Sequence, residues 1–349
     1  MYSVTSPNIS RTLRSLARTM PSVASGDVLQ GARWNYPLIE PLKGDHTHDS
    51  DVFKAKVVSR KDARVVSEVP EWALIKKASN YEHAAKDLQR EVEIYGLPGV
   101  ASAGCFREMY EQIDDSTIAL EWLDTTLAEV KYHPDMRIYR IIKSVLTAAF
   151  TSCVVLEDRK YVNTDYKPAN ILLSNINTDR VIAKVGDLGL VVPIGELFHA
   201  QPYAMRAPEV FLGKACTEPS QVWAVAAMLL CWIKPGVLGA WGCPFPVINN
   251  AWSMAKIQRL FPHWEIPTLE IAEDPNLKVA VKRAQSLSEK VPELQAILPF
   301  DDETKKVDMP QQLRDLLRFI LVPDPEKRPS ASSVLASRQF RDFKHYVSV

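Results

Sequence analysis

The spacing of the apolar residues changes near Trp122, and this change limits the possible folds more than any other feature of the sequence. Before that point, apolar-rich runs such as DVFKAKVV and EWALIKKA are separated by charged residues, which is typical of antiparallel strands. After it, the run MRIYRIIKSVLTAAFTSCVVL repeats apolar residues at helical spacing. A strand-rich section followed by a larger helical section predicts an α+β fold of two lobes, with a ligand cleft between them.

Composition narrows the classes of function. The chain has 349 residues, 46% of them hydrophobic, and a formal net charge of zero. This size supports one large domain or two packed lobes. The charge balance gives no electrostatic basis for binding nucleic acid or an anionic membrane. The most apolar run, residues 222–233, is shorter than the roughly 20 residues that a membrane span needs, so we expect no such span.

The cysteines and the basic N-terminus bear on location. The five cysteines never occur in C-x-x-C spacing, which is typical of thiols in a reducing compartment, so we expect the cytoplasm or the nucleus. Arg11, Arg14 and Arg18 precede the first acidic residue, Asp27, and this composition is similar to a mitochondrial presequence. The alternative, which we adopt, is a flexible basic tail over residues 1–33.

Two short segments contain residues suited to phosphoryl transfer. In TDYKPANILL, Asp165 can accept a proton from a hydroxyl group, Lys167 can lie near a transferred phosphate, and Asn170 offers an oxygen to a hard cation. In KVGDLGL, Asp187 leaves an apolar strand two residues before Gly189, so its carboxylate can meet a metal ion. The triplet of Asp187, Leu188 and Gly189 alone is also typical of an ordinary turn. Its position after TDYKPANILL makes a role in phosphoryl transfer the more specific interpretation.

Together these segments resemble a eukaryotic-type protein kinase domain. TDYKPANILL resembles the catalytic loop, DLG the magnesium-binding D-F-G, and RAPEV the A-P-E that closes the activation segment. DPEKRPSASSVL resembles the late C-lobe segment, whose Arg328 would pair with Glu209. The resemblance implies ATP and Mg²⁺ as cofactors and a protein as substrate. It also implies a kinase N-lobe with hinge over 34–124 and a C-lobe over 125–349, with a charged surface insertion near 265–310.

The resemblance assigns a phosphate-binding lysine in the first lobe. Lys76 resembles the lysine that binds the α- and β-phosphates, and Glu91 its ion-pair partner on a helix. Lys77 is the alternative if the strand register is shifted by one residue. Only one of the two lysines can fill this role, because neighbours on a strand point to opposite faces. Both lysines could instead be solvated residues of an edge strand.

The resemblance also places five residues around adenine. Leu120 would lie at the back of the pocket, and the backbones of Glu121 and Leu123 would form the hinge. Val52 and Leu172 would enclose the base from above and below. Each position is equally compatible with an ordinary core residue.

The nucleotide loop departs from the family pattern. Where the family has G-x-G-x-x-G, the segment KGDHTHDSDVFKA has Gly44 as its only glycine. Glycines let backbone N–H groups approach phosphates closely, whereas Asp45, Asp49 and Asp51 would place negative charge near them. We therefore expect weaker ATP binding or an altered binding geometry.

Three further departures lie in the C-lobe. Asn163 and Thr164 replace the histidine and arginine of H-R-D, so no cation next to Asp165 can receive an activation-loop phosphate. Residues 187–209 contain no serine or threonine, so we expect that Ser/Thr phosphorylation of this segment is not the switch. In the second departure, a threonine of the family is replaced by Gln201 or Pro202, depending on the alignment. In the third, an aspartate of the family is replaced by Gln221.

Two functions remain open from the sequence. We expect a Mg²⁺-dependent Ser/Thr protein kinase, because the charged groups that would touch the transition state are present and Lys167 follows Asp165 as in the Ser/Thr class. The alternative is a pseudokinase that binds nucleotide or acts as a scaffold, since the nucleotide loop lacks glycines. A small-molecule kinase of the choline or aminoglycoside type is disfavoured, because those generally lack the A-P-E and the late arginine.

Overall fold

The computed structural model describes residues 24–42, 50–60, 69–79, 84–196, 201–264 and 275–348. A strand-rich lobe is followed by a larger helical lobe, so the predicted two-lobed α+β fold is confirmed. The described strands are β1 (Val28–Gln30), β2 (Trp34–Pro41), β3 (Ser50–Lys56), β4 (Val58–Ser59), β5 (Trp72–Ala78), β6 (Met109–Asp114), β7 (Thr117–Glu121), β8 (Thr125–Thr126), β9 (Tyr161–Asn163), β10 (Ile171–Ser174), β11 (Ile182–Val185) and β12 (Val191–Pro193).

One helix of the first lobe packs beside its sheet, and the others belong to the helical lobe or connect to it. The described helices are α1 (Ala84–Tyr95), α2 (Pro98–Ala101), α3 (Met136–Asp158), α4 (Pro208–Phe211), α5 (Glu218–Ile233), α6 (Asn249–Leu260), α7 (Pro275–Lys290), α8 (Pro292–Gln295), α9 (Phe300–Lys305), α10 (Gln311–Ile320), α11 (Ala331–Ala336) and α12 (Arg338–Ser348).

The first lobe is a seven-stranded antiparallel sheet. Its strand order is β1-β2-β3-β5-β7-β6, and β4 pairs with β2 beside this path. The runs that predicted neighbouring strands form β3 and β5, which pair antiparallel over seven residues with Val52 opposite Lys76. β7 then pairs with the other edge of β5 and places Ile118 opposite Lys76. β5 therefore lies in the middle of the sheet, where its register is set on both sides.

The two faces of this sheet bury different sets of residues. Residues of a strand alternate between faces, and in β5 the side chains of Ala73 and Ile75 join a small core that also contains Tyr36. Leu74 points the other way and packs against the main core, where Leu88 of α1 is also buried. Lys76 shares the face of Leu74, so the alternation turns its side chain toward α1.

The helical lobe is organised around α3 and α5. Asp135 caps α3 by accepting a hydrogen bond from the N–H of Ile138 at 2.8 Å. By length and composition alone α3 could cross a membrane, but 61% of its most apolar window is buried within the protein. α5 begins with a capping box between Thr217 and Ser220 and is buried along most of its length, as predicted for this apolar run. Both helices are core helices of this lobe.

The charged stretch near 265–310 contains regular helices. Residues 265–274 lie outside the described residues, and α7, α8 and α9 follow them. α7 packs against α6, and Val281, Ala284 and Leu294 are buried in the main core. The stretch therefore combines a charged outer face with an apolar inner face, and its identity as an insertion stays a prediction.

Short strands below the main sheet hold the predicted functional segments. β10 pairs antiparallel with β11 and with β8, and β12 pairs antiparallel with β9. The loop between β9 and β10 contains the TDYKPAN segment, and the turn after β11 contains Asp187. The two motifs are thus adjacent in space because their flanking strands are paired or packed side by side.

Candidate active site

A lysine whose side chain is 12% exposed joins the two lobes at the predicted cleft. The Nζ of Lys76 lies 2.7 Å from Oε2 of Glu91 on α1 and 3.2 Å from Oδ1 of Asp187. Burial disfavours the ammonium form of Lys76, but the attraction of both carboxylates more than offsets burial and raises its pKa above the ordinary value. Lys77 pairs with Thr117 in the register of the sheet and faces away from this pair. Of the two candidate lysines, Lys76 is the one that contacts Glu91.

Asp187 reaches this lysine because of its backbone conformation. Its φ is +55°, in the left-handed region that non-glycine residues seldom adopt. The preceding Gly186 lies against Leu172, and a Cβ atom on this glycine would come within 2.7 Å of the Leu172 Cδ1. The glycine thus permits close packing at the end of β11, and the turn that follows directs the Asp187 carboxylate toward Lys76.

The second predicted motif forms a compact polar cluster. Asp165 is 3% exposed, and its Oδ2 lies 3.2 Å from the Nζ of Lys167. The side-chain amide of Asn170 donates to the same Oδ2 at 2.8 Å and to the carbonyl of Asp165 at 2.9 Å. Burial raises the pKa of the Asp165 carboxyl, and the charge of Lys167 and the bond from Asn170 offset part of that rise. The cluster fixes the carboxylate in one orientation.

The two unusual residues before Asp165 have defined roles in holding it. Oδ1 of Asn163 accepts a hydrogen bond from the N–H of Asp165 at 2.8 Å. The N–H of Asn163 donates to Oε1 of Gln221 at 3.2 Å, so that helix α5 supports the loop from behind. The hydroxyl of Thr164 donates to the carbonyl of Leu190 at 2.8 Å. The sequence marked these positions as departures, and the structure shows neutral side chains making the supporting bonds.

The end of the activation segment is anchored by a buried ion pair. Nη1 and Nη2 of Arg328 lie 2.7 and 3.0 Å from Oε1 and Oε2 of Glu209, so the predicted pair is present and bidentate. Gln201 is buried and accepts from the N–H of Ala207 at 3.0 Å, while its amide donates to the carbonyl of Ser220 at 3.1 Å. The Gln201 side chain thus bonds to the backbone around α4 and α5 rather than to the catalytic loop.

The residues predicted to surround adenine lie at the junction of the lobes. Leu120, Leu123 and Leu172 are buried, and Val52 is half-buried. The N–H of Glu121 donates to the carbonyl of Glu108 at 2.8 Å. These positions are compatible with a base-binding pocket.

The hinge residue Glu121 has further contacts that sequence reasoning missed. Its carbonyl accepts a hydrogen bond from Nε of Arg107 at 2.6 Å, and Arg107 is buried. Its carboxylate forms an ion pair of 2.7 Å with Lys184 on β11. In the sequence, the one sign of this role is that Arg107 places a charge at the start of a strand-like run, two positions after Cys105.

The oxygen ligands of the site are of the kind that Mg²⁺ prefers. Among the described residues there is no cluster of three His, Cys, Asp or Glu side chains that could enclose a metal ion. Mg²⁺ is commonly held by one or two protein oxygens together with substrate phosphates. The carboxylate of Asp187 and the amide oxygen of Asn170, whose nitrogen bonds to Asp165, fit that arrangement.

Part of the predicted nucleotide loop lies outside the described residues. Gly44, Asp45 and Asp49 belong to the undescribed range 43–49. Asp51 lies on β3 and is exposed. The expected effect of this loop on nucleotide binding therefore stays a prediction.

Known proteins of related sequence are named as protein kinases. The chain is similar to a Drosophila melanogaster protein named Stress-activated protein kinase JNK, with 26% identity over 75% of this chain and 71% of that protein. A Dictyostelium discoideum protein named Probable cyclin-dependent kinase 8 is 24% identical over 61% of this chain and 57% of that protein. A Caenorhabditis elegans protein named Stress-activated protein kinase jnk-1 is 26% identical over 76% of this chain and 58% of that protein.

A family model supports the same assignment over a longer range. The model described as Protein kinase domain matches residues 52–340, which extend over most of both lobes and include all of the predicted catalytic positions. This match spans well over half of the 349 residues. The chain therefore belongs to the protein kinase domain family.

Proposed function

We propose that this protein transfers the γ-phosphate of ATP to a serine or threonine hydroxyl of a protein substrate, with Mg²⁺ bound at the site. The observation that supports this most is the placement of Lys76. Its ammonium joins Glu91 of one lobe to Asp187 of the other. In the family this arrangement holds the phosphates while the catalytic loop receives the acceptor.

Asp165 is the proposed acceptor of the hydroxyl proton. Its carboxylate is held by Asn170 and lies beside Lys167, so the charge that can take the proton is fixed in place. The burial that raises its pKa also makes the carboxylate a stronger base than an exposed aspartate. Lys167 would lie near the transferred phosphoryl group and oppose its negative charge.

The remaining residues bind the donor nucleotide. Lys76 would contact the α- and β-phosphates, and Asp187 with Asn170 would hold Mg²⁺. When bound, the ion neutralises charge on the β- and γ-phosphates. Adenine would lie against Leu120, between Val52 and Leu172, and would bond to the backbone of Glu121 and Leu123. These last five assignments follow the family pattern and are supported by the position of the residues at the junction of the lobes.

We also propose that Ser/Thr phosphorylation of the activation segment does not switch this kinase. Residues 187–209 contain no serine or threonine. Thr164, which stands where the family has a phosphate-binding arginine, is buried and bonds to Leu190. The segment closes instead on the Glu209–Arg328 pair, whose formation needs no modification.

The proposal is tested by Mg²⁺-ATP phosphotransfer to a Ser/Thr peptide library. Asp165→Ala should reduce the rate by roughly 10²–10⁴-fold, which is the usual contribution of a positioned proton acceptor. Asp179→Ala, at an 83% exposed side chain, is the matched control and should retain the wild-type rate. Equal rates for the wild type and Asp165→Ala would overturn the proposal.

A pseudokinase is the second candidate, and the glycine-poor nucleotide loop favours it. The discriminating measurement is the Tm of the chain with ATP, in the presence and absence of Mg²⁺. A ligand that binds only the native state at a concentration of 100 Kd stabilises it by about 2.7 kcal/mol. A Mg²⁺-dependent rise in Tm with measurable phosphotransfer supports the kinase, and a rise without phosphotransfer supports the pseudokinase.

We propose the cytoplasm or the nucleus as the location. All five cysteines are free thiols, and three of them are buried, as expected of a chain that folds in a reducing compartment. Microscopy of the tagged full chain tests this, and a mitochondrial signal that depends on Arg11, Arg14 and Arg18 would contradict it.

A further inference from the structure

A buried arginine lies at the inner end of the proposed nucleotide cleft. The segment before β6 runs beside β11, where the N–H of Arg107 donates to the carbonyl of Val185 at 2.9 Å. The side chain then extends to the hinge, and its Nε lies 2.6 Å from the carbonyl oxygen of Glu121. Arg107 is 8% exposed, so this charge is held inside the protein.

The surroundings of Arg107 connect the hinge to the phosphate-binding lysine. A Cβ atom on Gly186 would lie 3.8 Å from the Arg107 Cδ, so the stem passes directly beside the residue that precedes Asp187. Burial lowers the pKa of Arg107, and the nearby charges of Glu91, Glu121 and Asp187 oppose that effect. An arginine guanidinium keeps its charge in proteins, so a positive charge lies between the base-binding and phosphate-binding ends of the proposed cleft.

This charge has hydrogen-bonding capacity beyond the hinge. Within the described residues, the Nε is the one side-chain nitrogen of Arg107 with a hydrogen bond. The Oε1 of Glu91, which is an acceptor, is buried without a hydrogen-bond partner in the same part of the chain. An arginine presents five N–H donors and no acceptor, so the inner end of the cleft offers donors to any group that enters it.

The position of the Arg107 donors would affect which purine base the site binds. Under the proposed function, the Glu121 carbonyl accepts a hydrogen bond from the exocyclic amino group of adenine. The Glu121 carbonyl already accepts a hydrogen bond from Arg107. The adenine amino group, which is a donor, would therefore face the other N–H donors of Arg107 without an acceptor to offer them. A purine with an oxygen at position 6, such as guanine or hypoxanthine, would offer an acceptor instead, and arginine pairs well with that oxygen.

We propose that Arg107 determines base selectivity and gives this site affinity for purine nucleotides with an oxygen at position 6. The inference rests on the proposed nucleotide site but not on phosphotransfer. Arg107 lies outside the sequence motifs from which the site was predicted.

The test measures Mg²⁺-dependent Kd values for ATP, GTP and ITP by calorimetry on the full chain. For the wild type, we expect ITP to bind within about tenfold of ATP, since an arginine contact to a base oxygen contributes about tenfold or more. Arg107→Met keeps the long apolar stem and removes the donors, and it should lower the ITP/ATP affinity ratio roughly tenfold. Arg180→Met, at an exposed arginine, is the matched control and should leave the ratio unchanged.

The wild-type measurement decides the outcome even if Arg107→Met does not fold. Wild-type discrimination of more than about tenfold against both ITP and GTP would overturn the inference while leaving the nucleotide site intact. An unchanged ratio in a folded Arg107→Met variant would also overturn it. If none of the three nucleotides binds, this inference and the proposed ATP-binding function fail together. Nucleotide binding without phosphotransfer would contradict the proposed kinase reaction. The ITP/ATP affinity ratio would then still support or overturn the inference on base selectivity.

Discussion

The two ends of the cleft are built differently. At the phosphate end, Lys76, Glu91 and Asp187 contact one another, and the catalytic loop retains Asp165, Lys167 and Asn170 in a hydrogen-bonded cluster. At the base end, the hinge carbonyl is held by a buried arginine and the hinge carboxylate by Lys184.

The difference has a physical reason. Under the proposed function, groups at the phosphate end would interact with charge that develops in the transition state, so few other side chains could replace them. Groups at the base end contribute binding that is similar in the ground state and the transition state, so other contacts can take their place. The phosphate end should therefore be the more sensitive to substitution.

The largest effect on stability is expected for Lys76→Met. The substitution leaves the Glu91 carboxylate, which is 1% exposed, without its cation. Breaking a buried pair from one side costs about 3–5 kcal/mol of unfolding free energy. Denaturation with urea would measure this, and Lys77→Met is the control, with an expected cost of about 1 kcal/mol or less.

A double variant sharpens this prediction. Glu91→Gln in the Lys76→Met background removes the unpaired charge and should recover part of the lost stability. Similar costs for Lys76→Met and Lys77→Met would contradict a stabilising role for the buried contact between Lys76 and Glu91.

The pH dependence of the phosphate end is the second prediction. Asp165 must be deprotonated to accept a proton, and its folded pKa is raised above the ordinary value. The rate should therefore fall with decreasing pH at a higher pH than an exposed aspartate would give. Lys167→Met removes the charge that opposes this rise and should move the acid limb of kcat/KM to still higher pH. A limb that does not move would exclude Asp165 as the titrating group.

The smallest effect is expected at the base end. Lys184→Met removes the partner of the Glu121 carboxylate, and both side chains are partly exposed, at 17% and 22%. A partly solvated pair contributes about 1 kcal/mol or less, and the Glu121 carboxylate retains the N–H of Glu108 as a donor. Thermal unfolding would measure the change. A cost as large as that of Lys76→Met would contradict the difference between the two ends.

Much of the site could be predicted from local sequence. Asp165, Lys167, Asn170 and Asp187 lie in short segments flanked by strands, and their order along the chain is enough to predict one site. The Glu209–Arg328 pair was also predicted, because both residues occur in segments that resemble known kinase motifs. In these cases the neighbours along the chain determine where the functional side chain lies.

Other features depended on contacts between distant segments. The choice between Lys76 and Lys77 follows from the register of β5 against β3 and β7, since one step along a strand reverses the face. The supporting bonds of Asn163 follow from the packing of α5 behind the loop.

Hydrophobic periodicity and short motifs are local properties, and they were enough to predict the two-lobed fold and the charged residues proposed to act on phosphate. The contact of Lys76 with Glu91 and the contact of Arg107 with the Glu121 carbonyl came instead from the folded structure. Both outcomes depend on strands and loops that are far apart in the chain and are brought together by sheet pairing and core packing, which no local pattern encodes.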